Sequence, residues 1–405
     1  MGDDKTMDGG EAEPATARNR AESLWHLRPW LFAGLLCVAG LAIHLLLHHA
    51  NDSGPRVAGA AFIAFACGAF VFTAERGRYL APAIFSLVTG LIVGGLTWRA
   101  VGAGNDIADG GYAIAAGVFA CLLAVPLVQA DFLHRRLRTD YKDIHYFVWT
   151  DAITGAGALA FFLIAWLLIW LLASLFDLVG IPLRDLVQQD WFTATYAGLT
   201  LGAGLGTLRN QLKIIGTLQS VVMLVFSIIA VPLAVALAIF LLAVLASGIA
   251  VLWNATESPT PLLLSVAVAG FVLVNAVVRN ADHEVSGNRA LRWAALVLAL
   301  AIFPLALLAA ISTGTRIAEY GLSPERLWGV VAVAVAVAYG LAYFIAPIRG
   351  RMAGWMERVR SANMHLAVAT CVLAFILALP LFDFGAISAR NQLARLESGK
   401  VAVDE

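Results

Sequence analysis

Ionised side chains are what this sequence has least of. Only 13% of its 405 residues are Asp, Glu, Lys or Arg, where a water-soluble domain carries about 25%. That shortage excludes an ordinary soluble fold. The formal net charge is zero, so no bulk field invites a nucleic acid. Lysine is nearly missing, at 4 residues against 23 arginines. Such usage is common in GC-rich bacterial genomes. The four cysteines, Cys37, Cys67, Cys121 and Cys371, lie apart in apolar runs. They form no CxxC pair and no His/Cys cluster, so disulfides and zinc sites are not expected. No GxSxG, P-loop or dinucleotide-binding glycine pattern sits between a strand and a helix. The GAGLG at 202–206 falls inside an apolar run and is no phosphate cradle.

What is present is hydrophobic. Apolar residues make up 60% of the chain and the mean hydropathy is +0.82. A charge at the bilayer centre is costly, so uninterrupted charge-free runs mark membrane spans. They lie at 29–51, 57–74, 79–98, 110–130, 152–176, 191–208, 214–256, 258–278, 293–315, 327–348 and 361–382. All but one have the length of a single span, about 20 residues for about 30 Å of hydrocarbon. The exception, 214–256, reads as one span with an interfacial lead-in or as two spans, with Pro232 offering a kink or break. With one span there and the amino terminus inside, inner segments hold 19 Arg and Lys and outer segments 8. Two spans would reduce that asymmetry to 17 against 10, so the positive-inside rule favours one.

The expected fold is therefore an all-α polytopic bundle of about eleven spans. Its amino terminus is expected inside and its carboxy terminus outside. Residues 1–28 read as a disordered cytoplasmic tail without a cleavable leader, 29–382 as the membrane domain, and 383–405 as an extra-cytoplasmic tail. The expected location is a bacterial inner membrane.

Two segments read as interfacial. Between 131 and 149, Leu133, Leu137, Tyr141, Ile144 and Val148 fall on one helical face. Arg135, Arg136, Arg138, Lys142 and His145 lie off it. Such a helix suits contact with anionic lipid through Arg135, Arg136, Arg138 and Lys142, although basic inner loops also serve as topology markers. Residues 180–191 place Ile181, Leu183, Leu186 and Val187 on the outer surface, with Trp191 as a belt residue.

No charge falls inside an assigned span, which argues against an ion-coupled pathway. The in-span polar groups include His44, Asn275, His365, Tyr339 and Tyr343, for which interhelical hydrogen bonding is the default role. Gly198 and Gly202 make a small-xxx-small pair and Gly90, Gly94 and Gly95 line the third run, which suits close helix packing. His44 and His48 share a helix face and are the weak metal candidates. A further ligand would have to come from Asp106, Asp109 or Glu257. Neither HExxH nor a CxxC pair supports them, so no metal or cofactor is expected. Asp282, His283 and Glu284 offer acid–base groups, but in a short solvated loop that reads as salt bridging.

The best-patterned polar segment is 312–331. Gly321 suits a helix end, Ser323 an N-cap, Pro324 the first turn and Glu325 the positive end of the dipole. Residues 316–326 thus read as a tight helix–turn–helix. Glu319 and Tyr320 stand beside Arg316, and Arg326 is placed to reach Glu319 across the turn. Arg316, Glu319, Tyr320, Glu325 and Arg326 are the candidate binding residues.

RIAEYGLSPERLWGVV resembles the Arg-Ile-x-x-Tyr-Gly-Leu-Thr/Ser-x-x-Arg pattern of membrane proteins grouped as domain of unknown function 4153. WLLIWLLASLFDLVGIPLRDLVQQDWF at 166–192 and ISARNQLARLESGK at 387–400 are similar to further parts of that family. The resemblance implies a multi-pass bacterial membrane protein and carries over no catalytic residue. In the last stretch Ser388 suits the cap of a short helix bearing Leu393 and Leu396, ended by Gly399.

Three functions follow as expectations. The first is a non-enzymatic membrane protein that supports or regulates an envelope process, with the bilayer and an envelope protein as partners. The second is a transporter or permeation path for a neutral or lipidic solute. The third is an intramembrane enzyme on a lipid-linked substrate, which requires His44 or His48 to meet Asp106, Asp109 or the 316–326 turn.

Overall fold

The computed structural model describes residues 25–48, 53–102, 110–132, 139–250, 252, 256, 258–350 and 354–399. Thirteen α-helices account for nearly all of them. They are α1 (Arg28–His48), α2 (Gly54–Thr73), α3 (Leu80–Gly102), α4 (Gly110–Gln129), α5 (Tyr141–Asp177), α6 (Leu183–Val187), α7 (Asp190–Arg209) and α8 (Leu212–Ser247). After them come α9 (Thr260–Val278), α10 (Arg289–Tyr320), α11 (Pro324–Gly350), α12 (Trp355–Ala378) and α13 (Phe384–Glu397). The chain is an all-helical multi-pass membrane protein. Without water in the hydrocarbon layer each backbone group must bond within its own segment, and helices achieve that.

Among the described residues ten helices, α1–α5 and α8–α12, are long and apolar enough to cross a bilayer. The expected eleventh, α7, has 20 residues but falls short in apolarity, because its sequence is built on glycine and threonine. The ambiguous run 214–256 resolves as the single helix α8, which carries Pro232 in its interior. At 36 residues it is about 54 Å long at about 1.5 Å per residue, so it outreaches the hydrocarbon. It stops at Gly248, whose φ is +81°.

The membrane helices alternate in direction, which gives the bundle two ends. Arg28, Thr73, Gln129, Tyr141, Arg209, Val278 and Arg360 belong to one end, called here the Arg28 end. His48, Val187 and the α10–α11 turn belong to the other. Packing divides the helices into two halves.

In the first half α1 and α7 run antiparallel at backbone contact. A Cβ added at Gly198 or Gly202 would collide with the carbonyl oxygens of Leu36 and Phe32, and one at Gly206 would stand 2.6 Å from Pro29 Cα. Gly40 meets the Ala194 carbonyl in the same way from the α1 side. A glycine every fourth residue thus removes the side-chain layer from one helix face, the arrangement by which membrane helices approach without aliphatic ridges. Gly90 and Gly94 do the same for α3 against Phe62 and Ala58 of α2. Gly95 has open space around it, so it takes no part in that contact.

The second half packs side chain to side chain. Leu273, Val274, Val277 and Val278 of α9, Leu298, Ile302, Leu305 and Ala309 of α10, and Val333 and Tyr343 of α11 form one buried cluster with Ala230 and Ala234 of α8. The halves meet where α4 and α5 pack on Met364, Val368 and Cys371 of α12.

The segment 131–149, expected as an interfacial helix, is described only in part. Residues 133–138, with Leu133, Leu137, Arg135, Arg136 and Arg138, lie outside the described residues. From Tyr141 the chain belongs to the 37-residue α5. Lys142 is exposed and Val148 is 45% exposed, but Ile144, His145 and Phe147 are buried. An apolar stripe at helical spacing fits a protein interior as well as a lipid surface, and of this one Ile144 faces the interior while Val148 does not. The segment 180–191 holds the short α6, with Ile181, Leu186 and Trp191 exposed but Val187 buried.

Candidate functional site

Polar side chains from several helices converge in two nodes at the Arg28 end, and a third assembly clasps the α10–α11 turn at the other end.

The first node joins α5, α9, α11 and α12. Asn275 Nδ2 donates to Tyr343 Oη at 2.8 Å, and that hydroxyl donates to Asn363 Oδ1 at 2.8 Å. Asn363 Nδ2 closes the ring by donating to Asn275 Oδ1 at 2.6 Å. The Tyr141 hydroxyl donates to the same Asn275 oxygen at 3.2 Å. Tyr343, Asn275 and Asn363 are all buried. One turn away, the buried Arg360 caps the carboxyl end of α9. Its guanidinium donates to the Val278 carbonyl at 2.8 Å and the Arg279 carbonyl at 3.2 Å, and to Asp282 Oδ1 at 2.7 Å. Arg279 adopts φ +50° where the helix breaks. The cation thus serves carbonyls that the helix end leaves without partners. The expected interhelical role of Asn275 and Tyr343 is what the geometry displays. Tyr141, Asn363 and Arg360 complete the node; Tyr141 reads in sequence as part of an apolar face, and Asn363 and Arg360 look solvated because they stand near a helix end.

The second node joins α1, α2, α4, α5 and α7. Gln129 Nε2 donates to the Phe72 carbonyl at 2.7 Å and to Asp151 Oδ1 at 3.2 Å. Arg209 donates to the Val71 carbonyl, and Arg28 Nη1 to the Arg209 carbonyl at 3.1 Å. Gln129 Oε1, Thr150 Oγ1, Asp151 Oδ2 and Thr154 Oγ1 are shut off from solvent without a hydrogen-bond partner. Asp151 immediately precedes the charge-free run that opens at 152, so the expected absence of charge within spans did not flag it. It nevertheless lies inside α5, with its Oδ2 sealed by neighbouring helices. His145, buried on the same helix, borders the first node, with its ring 5.3 Å from that of Tyr141, and accepts from Trp149 Nε1 at 3.1 Å.

At the far end α10 stops at Gly321, with φ +77°, a value that only glycine adopts at low cost. Pro324 then opens α11, and Ser323 Oγ accepts from the Arg326 amide at 3.3 Å. Arg326 does not pair with Glu319. Its Nη1 donates to the carbonyls of Gly321 at 2.8 Å and Tyr320 at 3.2 Å, and its guanidinium lies 5.4 Å from the Tyr320 ring centre. Main-chain oxygens at a helix end stand in place, whereas an exposed carboxylate must be immobilised first. Helix α13 supplies the rest. Asn391 Oδ1 accepts from the Leu322 amide at 2.8 Å, and Ser388 Oγ donates to the Leu322 carbonyl at 2.9 Å. Gln392 Nε2 donates to the carbonyls of Leu322 and Tyr320 at 2.9 and 3.1 Å. Arg395 donates to those of Glu319 at 2.5 Å and Ala318 at 3.3 Å. The cap of α13 is Asp383, whose Oδ1 accepts from the Ala386 amide at 2.8 Å. The expected cap, Ser388, is instead spent on the clasp. Glu319, Tyr320 and Glu325 remain exposed, and Arg316 is half-buried.

The two best-patterned polar stretches of the sequence are therefore each other's partner. A family model, Domain of unknown function (DUF4153), matches residues 59–404. The chain belongs to this family. The matched range takes in both nodes' α5, α9, α11 and α12 residues and the whole clasp of this DUF4153 chain. No curated protein and no solved structure matches it.

The rings of the metal candidates His44 and His48 stand 5.1 Å apart, while Asp106, Asp109 and Glu257 lie outside the described residues. No group of three or more His, Cys, Asp or Glu residues is placed to hold a metal among the described residues. In the 282–284 turn Asp282 is taken by Arg360 and His283 faces Glu284 at 3.9 Å, in keeping with the salt-bridging role expected.

Proposed function

We propose that this protein is a non-enzymatic component of a bacterial inner membrane that supports or regulates an envelope process. Its amino end lies inside, and the α10–α11 turn with α13 forms its outward interaction surface. One observation carries the reading. The turn's main chain is engaged by Arg326, Ser388, Asn391, Gln392 and Arg395, while the side chains of Glu319, Tyr320 and Glu325 are left exposed. A surface fixed by its own backbone and presenting two carboxylates and a phenol is suited to recognise a protein, since little ordering entropy remains to be lost on binding. Arg316 and Arg326 frame it, and the lipid bilayer is the other partner.

Arg326 holds the turn together, so its removal would confound recognition with folding. The test is a Glu319→Ala, Tyr320→Ala, Glu325→Ala triple variant in a deletion strain at matched membrane abundance. Sensitivity to detergents and large antibiotics is measured. The variant is expected to reproduce the deletion phenotype. Sensitivity equal to wild type, or a deletion without envelope phenotype, overturns the proposal.

A further inference from the structure

Helix α13 is amphipathic with its faces inverted. Phe384, Ser388, Asn391, Gln392 and Arg395 share the side turned to the α10–α11 turn, so its polar residues point into the protein. Its leucines point away. Leu393 is 56% and Leu396 41% exposed, and three-residue spacing puts them on one flank. Arg390 and Glu397, seven apart, are exposed beside Leu393 on its side away from Leu396. No polar contact requires leucine on that flank.

Two further observations fix what lies beside it. Helix α12 is membrane-crossing by length and composition and ends at Ala378. Only residues 379–383 separate it from α13, a reach of at most about 18 Å. That connection is itself apolar and exposed, at Leu381 and Phe382. Aromatic rings also gather at this level. Phe384 packs edge-on against Trp328 at 5.2 Å, Trp328 stacks on Tyr112 of α4 at 6.0 Å, and Phe382 adjoins Phe384 at 6.5 Å. Trp and Tyr collect where headgroups meet hydrocarbon.

We propose that α13 is an interfacial helix that rests its Leu393–Leu396 flank on the headgroup–acyl boundary of the phospholipid bilayer while its polar face holds the α10–α11 turn. The turn would then be tied to the lipid surface through α13, with Arg390 and Glu397 on the aqueous side. This stands whether or not the exposed carboxylates of the turn bind a protein.

The test places single cysteines at 393, 396 and 390 in full-length protein whose four native cysteines are replaced, none of which lies in the clasp. Each is labelled with an environment-sensitive fluorophore and reconstituted into phosphatidylethanolamine–phosphatidylglycerol vesicles containing brominated lipid. Emission at 393 and 396 is expected to be blue-shifted and quenched by bromine several-fold more than at 390. All three positions are exposed, so the substitutions leave the clasp intact. Equal, weak quenching at all three overturns the proposal. So does shielding of 393 and 396 from both bromolipid and an aqueous quencher, which would mean that protein covers the flank.

Discussion

The two halves of this bundle solve the same problem by opposite means. Between α1 and α7 the side chain has been removed, and carbonyl oxygens of one helix occupy the space where Cβ atoms of the other would be. Between α9, α10 and α11 the side chain does the packing, with Leu298, Leu305 and Val274 buried in one cluster. Lipid tails are as apolar as leucine, so apolar burial alone gives helices little reason to associate in a membrane. Close backbone approach is one answer. The ring of Asn275, Tyr343 and Asn363 is another, since each amide and hydroxyl would face hydrocarbon if the helices parted.

The comparison breaks most visibly at the glycines. Gly198→Leu in α7 is expected to separate α1 from α7, with loss of most folded protein in detergent by size-exclusion chromatography. Gly34→Ala, on α1 but with open space around it, should behave as wild type. The second half should tolerate no loss of a hydroxyl at its centre. Tyr343→Phe leaves Asn275 and Asn363 each short of a bond, at a cost of about 1–3 kcal/mol, measurable by steric trapping or chemical unfolding in bicelles. Arg360→Leu should cost about as much, because Val278 and Arg279 lose the donor for their carbonyls. The smallest effect belongs to Asp282→Ala. That carboxylate is 75% exposed, and its loss should stay within about 0.5 kcal/mol. A large loss there would mean that the ion pair, rather than the carbonyl clamp, holds the α9 end.

Charge counting described helices in both halves. Charge-free runs located α1–α5 and α8–α12, because membrane crossing depends on composition and length. The same counting took in α7, whose glycines serve contact with α1. It was silent on the first turns of α5. Tyr141, Ile144 and Val148 recur at helical spacing, and spacing reports a face without saying what covers it. Asp151 escapes for a related reason. It lies just outside a charge-free run, and its burial depends on other helices, with Gln129 of α4 as its partner. At the other end the capping residues Gly321, Ser323 and Pro324 announced the turn correctly. The pairing of Asn391, Gln392 and Arg395 with its main chain was illegible, since backbone groups are the same in every sequence.

The account rests on α1 and α7 meeting backbone to backbone. Spin-label distances between pairs of exposed sites on these two helices, taken in bilayers for the native protein and for Gly202→Ala, test that directly. Native axes should lie closer than the about 8 Å at which side-chain-packed helices begin, and one added methyl should widen them. Axes at ordinary spacing, or a variant with unchanged distance and unchanged stability, would contradict it.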